Sequence, residues 1–88
     1  METRFSDDAD EDYDYWVATD RAVVDRINKL IDAICESPFT GIGKPEPLKG
    51  DYRSWWSRRI NNEHRLVYRV SGRPGEQVLE ILSCRLHY

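Results

Sequence analysis

The sequence lacks any long run of apolar residues. None of its hydrophobic stretches is long enough to cross a membrane, and the first twelve positions are acidic where a signal peptide would be basic and then apolar. We therefore expect a cytoplasmic protein with no membrane partner.

Cysteine is also scarce. Cys35 and Cys84 lie far apart and neither belongs to a CxxC pair, so the sequence predicts neither a disulfide framework nor a zinc site. Both are expected to be small buried apolar residues in a reducing compartment. The two histidines, His64 and His87, have no third ligand at a suitable spacing. We expect no metal and no cofactor.

The residues that are present predict a packed globule. Hydrophobic residues make up 40% of the chain and include three Trp, which argues against disorder. A chain of this size buries roughly 60 to 65% of the surface that its unfolded form exposes. We expect residues 1–88 to form a single domain.

The net charge of −3 conceals an uneven distribution of charged residues. Residues 1–20 hold eight acids and one base, whereas the remaining residues hold twelve bases and eight acids. A solvated first helix explains the acidic run. The basic C-terminal half is compatible with a polyanionic partner.

The N-terminal half has the pattern of two helices. Residues 1–5 permit a short edge strand, and residues 7 to about 17 are compatible with a helix that carries acids near its N-terminus. Thr19-Asp20 then provides a cap for a second helix, which Ser37-Pro38 ends. The apolar positions of this second helix recur at helical spacing and are Val23, Ile27, Leu30 and Ile34.

The C-terminal half has the pattern of a β-sheet. In the loop PFTGIGKPEPLKGD, Pro45 and Pro47 flank Glu46 and restrict its backbone to extended conformations. Three β-prone segments follow, YRSWWSRRI, HRLVYRV and QVLEILSCRLHY, separated by turns. The order (β)ααβββ predicts an α+β fold, with two N-terminal helices packed on one face of a small antiparallel sheet.

Side chains alternate between the two faces of a strand, so each residue of the sheet can be assigned to a face. The positions expected to face the helices are Trp56, Ile60, Leu66, Tyr68, Val70, Leu82, Cys84 and Leu86. Basic residues of the opposite parity form an expected cationic face and are Arg59, Arg65, Arg69, Arg85 and His87. Leu79, Ile81 and Arg58 break the alternation, which a β-bulge or a twist explains.

Cationic groups near a carboxylate and an imidazole suit the cleavage of a phosphodiester. Guanidinium groups bind phosphate, while Glu and His exchange protons with the attacking and leaving oxygens. A solvated sheet face with incidental bases is an equally good account of the charges. For His64, which follows Glu63 at a turn, we favour a cap or an ion pair over a catalytic role.

Four motifs in order resemble the YoeB toxins of the RelE/ParE superfamily. They are GKPEPLK at 43–49, WSRRI at 56–60, EHRLVY at 63–68 and CRxHY at 84–88. The stretches DYxYW at 12–16 and INKLI at 27–31 also fit, so the resemblance covers nearly the whole chain. Leu86 departs from it, because an aromatic residue is expected there.

The resemblance implies a RelE/YoeB-like microbial RNase fold and the toxin of a bacterial type II toxin–antitoxin system. Such a toxin enters the A site of the 70S ribosome and cuts mRNA through its 2′-OH without a metal. The catalytic residues implied are Glu46 as general base, Arg65 as the group that stabilises the phosphorane, and His87 as general acid. The substrate- and phosphate-binding residues implied are Lys49, Arg59 and Tyr88.

The same resemblance implies protein partners. They are a cognate YefM-like antitoxin, a second copy of the chain in a homodimer, and operator DNA only through the antitoxin complex. Two other functions remain open at this point: a ParE-like toxin that binds a topoisomerase without cutting RNA, and a co-repressor subunit of a toxin–antitoxin complex.

Overall fold

The computed structural model describes residues 1–86. Two helices and five strands follow one another along the chain. They are β1 (Glu2–Phe5), α1 (Asp7–Thr19), α2 (Arg21–Glu36), β2 (Glu46–Pro47), β3 (Trp56–Arg59), β4 (Arg65–Ser71) and β5 (Val78–Ser83), with a 3₁₀ turn at Gly50–Tyr52. The two helices and the sheet confirm the predicted α+β class.

The sheet is larger than predicted, and it is mixed rather than antiparallel. Its strand order is β1-β5-β4-β3-β2, with β1 parallel to β5 and the other pairs antiparallel. The predicted antiparallel meander of β3, β4 and β5 is confirmed, whereas the parallel pairing of β1 with β5 was not predicted. The chain forms α1 and α2 directly after β1, so no strand near β1 in sequence is available to pair with it. Its partner is β5, the last strand of the described residues, and the pairing is parallel.

Local capping explains where the helices begin and end. The Ser6 hydroxyl accepts the Ala9 N–H at 3.0 Å and caps α1, while the Asp20 carboxylate accepts the Ala22 N–H at 3.1 Å and caps α2. The cap predicted at Thr19-Asp20 is thus confirmed and lies at Asp20, while Thr19 ends α1; the stop predicted at Ser37-Pro38 is confirmed at Ser37. Neither helix of the described residues is both long enough and apolar enough to cross a membrane.

The core lies between the two helices and one face of the sheet. The apolar face of α2 provides Val23, Ile27, Leu30 and Ile34, as predicted. The sheet side of the core includes Leu66, Tyr68, Leu79, Ile81 and Cys84. Cys35, by contrast, is exposed, so the expectation that it is buried is wrong.

A bulge in β5 changes which of its residues face the helices. Val67 pairs with Ser83 but the next residue, Tyr68, pairs with Ile81, so Leu82 is the extra residue. Leu79 and Ile81 consequently reach the core, whereas Leu82 is only half-buried and Leu86 is 61% exposed. The predictions that Leu82 and Leu86 face the helices are wrong.

Arg58 lies on the helix-facing side of β3, and it is completely buried. Its guanidinium donates to the carbonyls of Ser37, Thr40 and Ile42 at 2.7, 2.8 and 3.0 Å, and to the Tyr68 hydroxyl at 3.2 Å. This buried cation therefore fastens the loop that follows α2 to the sheet. The same loop continues into β2 and Glu46.

Candidate active site

The predicted general base lies on the edge of the sheet. Glu46 belongs to β2, which pairs with β3 so that Glu46 lies opposite Ser57. This strand pairing confirms that the backbone of Glu46 is extended between its two prolines, and its side chain is exposed. The N–H of Leu48 donates to the carbonyl of Trp55 at 2.9 Å, which extends the pairing by one residue toward the exposed Lys49.

The register of the sheet places Glu46 on the same face as Arg59, a predicted phosphate-binding residue, and Arg65, a predicted catalytic residue. Glu46, Ser57, Val67 and Ser83 form one row across the sheet, and Arg59 and Arg65 form the next row on the same face. Residues two apart on a strand are separated by roughly 7 Å. The alternation predicted from sequence therefore holds for Arg59 and Arg65, and Glu46 shares their face, opposite the helices.

Arg65 has an unusual environment on this face. Its side chain is half-buried, and its Nη1 atom is buried without a hydrogen-bond partner among residues 1–86. A buried guanidinium nitrogen normally has a partner, so its absence calls for an explanation. Arg65 is charged at every physiological pH, and an anionic ligand would satisfy the free N–H groups.

Ser83 is a candidate that sequence reasoning missed. Its hydroxyl is also buried without a partner among the described residues, and the residue lies in the same row as Glu46. Nothing in the sequence distinguishes it from an ordinary strand serine, because its burial depends on the bulge at Leu82. It is a second unsatisfied polar group on the face that carries Arg65.

The other two arginines predicted for this face are engaged elsewhere. The Arg69 guanidinium forms an ion pair with Glu80 at 2.7 Å and lies 4.3 Å from the centre of the Trp55 ring. The Arg85 guanidinium lies 3.7 Å from the centre of the Tyr15 ring on α1. The prediction that Arg85 contributes to the cationic face is wrong, because the chain leaves the regular strand after Ser83. Within residues 1–86, neither Arg59 nor Arg65 forms an ion pair.

The segment 84–86 is fastened to α1. The Cys84 N–H donates to the Asp12 carboxylate at 3.0 Å, and the indole N–H of Trp16 donates to the Cys84 carbonyl at 2.9 Å. Burial, with a smaller contribution from Asp12, raises the pKa of the Cys84 thiol to about 12. The thiol therefore stays protonated and serves as a packing group.

The same segment is also fastened to the start of β4. The Leu86 N–H donates to Nδ1 of His64 at 2.8 Å, and the Leu86 carbonyl accepts the Arg65 N–H at 2.9 Å. Nε2 of His64 lies 3.7 Å from the Glu63 carboxylate, and this contact is an ion pair only when the ring is protonated. The bond from Leu86 to His64 was not predicted, because it joins residues that are distant in sequence.

Two predicted site residues, His87 and Tyr88, lie outside the described residues, so their roles stay predictions. Among residues 1–86, no group of three or more His, Cys, Asp or Glu side chains is placed to hold a metal ion.

Comparison with known proteins identifies the family. A family described as "YoeB-like toxin of bacterial type II toxin-antitoxin system" matches residues 5–88. The chain is also 49% identical to "Toxin YoeB" of Streptomyces coelicolor over 88 residues, and the match covers 100% of both chains. The chain belongs to the YoeB family of toxins. The resemblance stated from its motifs is thereby confirmed.

Solved structures of YoeB proteins share the fold along the whole chain. The YoeB/ParE toxin from Agrobacterium tumefaciens is 51% identical, with a TM-score of 0.98 and full coverage of both chains. A YoeB dimer from Staphylococcus aureus is 43% identical, with a TM-score of 0.90, covering 100% of this chain and 98% of that one. A heterotetrameric YoeB-YefM complex from the same organism is 43% identical with a TM-score of 0.88, at the same coverage.

Proposed function

We propose that this YoeB-family chain is a ribosome-dependent endoribonuclease that cuts mRNA in the A site. The observation that carries the proposal is the buried Nη1 of Arg65, which has no hydrogen-bond partner among residues 1–86, on the face that also presents Glu46 and Arg59. Binding alone does not require a carboxylate on the same face as this cation. During cleavage, negative charge builds on the phosphodiester, and a positioned cation stabilises that charge.

The proposed reaction is a transesterification within the RNA. Glu46 takes the proton from the ribose 2′-OH, and the 2′-oxygen then bonds to the adjacent phosphorus. Arg65 stabilises the negative charge that builds on the phosphorane, with Arg59 and Lys49 assisting. The bond from phosphorus to the 5′-oxygen breaks, and His87 gives that oxygen a proton while Tyr88 orients the substrate. The products are a 5′-OH and a 2′,3′-cyclic phosphate, or the 3′-phosphate that forms when water opens the cyclic phosphate.

The partners proposed for this chain are those of its relatives. The Staphylococcus aureus proteins form a YoeB dimer and a heterotetrameric complex with YefM. We propose a homodimer and a YefM-like antitoxin for this chain, with operator DNA bound only by the toxin–antitoxin complex. We also propose that residues 1–88 act as one domain in the cytoplasm.

The experiment that tests this function maps mRNA 5′ ends by primer extension in a bacterial translation reaction. New ends at A-site codons are expected when the protein and ribosomes are both present, and they should disappear in Arg65→Ala and His87→Ala variants. Arg73→Ala is the matched control, because Arg73 is exposed in the turn between β4 and β5. Inhibition of growth without any new mRNA ends would favour a ParE-like binder instead.

A further inference from the structure

We propose that His64 is a positioning residue that fixes the backbone of Leu86 beside Arg65 through Nδ1. The anchoring contact itself stands without the proposed function, whereas its consequence for catalysis rests on the function proposed above. Sequence patterns favoured a cap or an ion pair for His64, and its contacts extend well beyond that role.

The imidazole of His64 is held firmly on two sides. Its side chain is 12% exposed, and its ring lies edge to face against Trp16 of α1 with ring centres 4.7 Å apart. Its own backbone N–H donates to the Asn61 side chain at 2.8 Å, which fixes the turn before β4. The ring is therefore a rigid acceptor for any group that approaches Nδ1.

The group bound there is the backbone of Leu86. Its N–H donates to His64 Nδ1 at 2.8 Å, and its carbonyl accepts the N–H of Arg65 at 2.9 Å. His64 and Arg65, which are consecutive in the chain, thus bind both polar backbone groups of Leu86. Arg65 is also the cation proposed to act on the phosphate.

Leu86 is held in a conformation that it would not adopt alone. Its φ is 64°, in the left-handed region that a leucine rarely occupies. Such backbone conformations persist only where the surroundings impose them, and they are frequent at active sites. Here the contacts of the Leu86 N–H with His64 and of its carbonyl with Arg65 hold the residue in this conformation.

The anchor depends on the protonation state of His64. Nδ1 can accept the Leu86 N–H only when it carries no hydrogen, so the neutral ring bears its proton on Nε2. Protonation of the ring converts Nδ1 into a donor and breaks the bond. The Glu63 carboxylate lies 3.7 Å from Nε2, and Asp20 lines the same open cavity.

The test compares two substitutions of equal shape. In His64→Asn the side-chain oxygen occupies the position of Nδ1, whereas His64→Leu places a methyl group there. Both variants lose the ring contact with Trp16 to the same extent, so a difference between them reports the acceptor. Circular dichroism melts establish that both variants are folded.

The first measurement follows the anchor and needs no ribosome. We expect hydrogen exchange of the Leu86 amide to be about tenfold faster in His64→Leu than in wild type, and nearly unchanged in His64→Asn. The ¹⁵N shifts of His64 in the wild-type protein should show a bare Nδ1 and a protonated Nε2 at neutral pH. A hydrogen on Nδ1, or equal exchange in all three proteins, would overturn the proposal.

The second measurement follows catalysis in ribosomes programmed with mRNA. The kcat of His64→Leu should fall about tenfold or more with little change in KM, and His64→Asn should recover most of it. If wild type cleaves mRNA and His64→Leu cleaves it equally fast, His64 is not a positioning residue. If wild type itself does not cleave, the proposed function fails while the exchange measurement still tests the anchor.

Discussion

Replacing Arg58 by methionine should destabilise the protein severely. Arg58 is 0% exposed, and its guanidinium donates to three loop carbonyls and to the Tyr68 hydroxyl. No carboxylate of the described residues pairs with it. Methionine replaces the aliphatic stem of the side chain but has no guanidinium, and it leaves the three carbonyls without their donor.

The expected cost follows from opposing contributions. Hydrogen bonds from a charged group contribute about 1.5 to 3 kcal/mol each, but removing the buried guanidinium also removes its desolvation penalty. Breaking a buried charged network by removing one member typically costs about 3 to 5 kcal/mol. For a domain of this size that is a fall in Tm of roughly 15 to 30 °C.

Urea unfolding followed by tryptophan fluorescence measures this cost. The graded control is Tyr68→Phe, which removes only one hydroxyl from the same network and should cost about 1 kcal/mol. The negative control is Arg53→Met, because Arg53 is exposed and its replacement should change stability by less than about 0.5 kcal/mol. A free energy of unfolding for Arg58→Met within about 1 kcal/mol of wild type would refute the structural role of Arg58.

Three further predictions concern reactivity, charge and pH. Iodoacetamide should label the exposed Cys35 in the native protein and leave the buried Cys84 unmodified until the protein unfolds; labelling of both at one rate would contradict the structure. The pKa of Cys84 is raised to about 12 in the folded protein, so the stability that its thiol contributes is complete below the ordinary thiol pKa of roughly 8.5 and is lost as pH rises toward 12. Between these two pH values the free energy of unfolding of wild type should therefore fall more steeply than that of Cys84→Ala. Neutralising three exposed acids at the start of α1, by replacing each with asparagine, should leave mRNA cleavage within about twofold of wild type, because this end of the helix is expected to point away from the ribosome; a tenfold change would refute that orientation. These acids are Asp7, Asp8 and Asp10.

Local signals in the sequence predicted the helices well. Asp20 caps α2 and Ser37 ends it, and both residues act on backbone groups within four positions. The parallel pairing of β1 with β5 was missed because it joins residues about 76 positions apart, such as Glu2 and Val78. No local sequence pattern specifies which distant strand pairs with β1.

The candidate site was predicted where the strands are regular. Glu46, Arg59 and Arg65 share a face because the two-residue alternation is uninterrupted in β2, β3 and the start of β4. The alternation failed for β5, where one bulge at Leu82 exchanges the faces. The contact between His64 and Leu86 could not be predicted, because it depends on where that bulge leaves the chain.

The most direct test of the proposed chemistry uses two mRNAs that differ by one oxygen. One carries ribose at every position, and the other carries a single 2′-deoxyribose on the 5′ side of the bond cut in the A-site codon. Ribosomes programmed with each mRNA are mixed with excess protein, and the products are resolved in a single turnover. We expect the ribose mRNA to give a 2′,3′-cyclic phosphate and a 5′-OH, and the deoxyribose mRNA to stay intact at that bond. Cleavage of the deoxyribose bond at a similar rate, or no cleavage of either mRNA, would contradict the account.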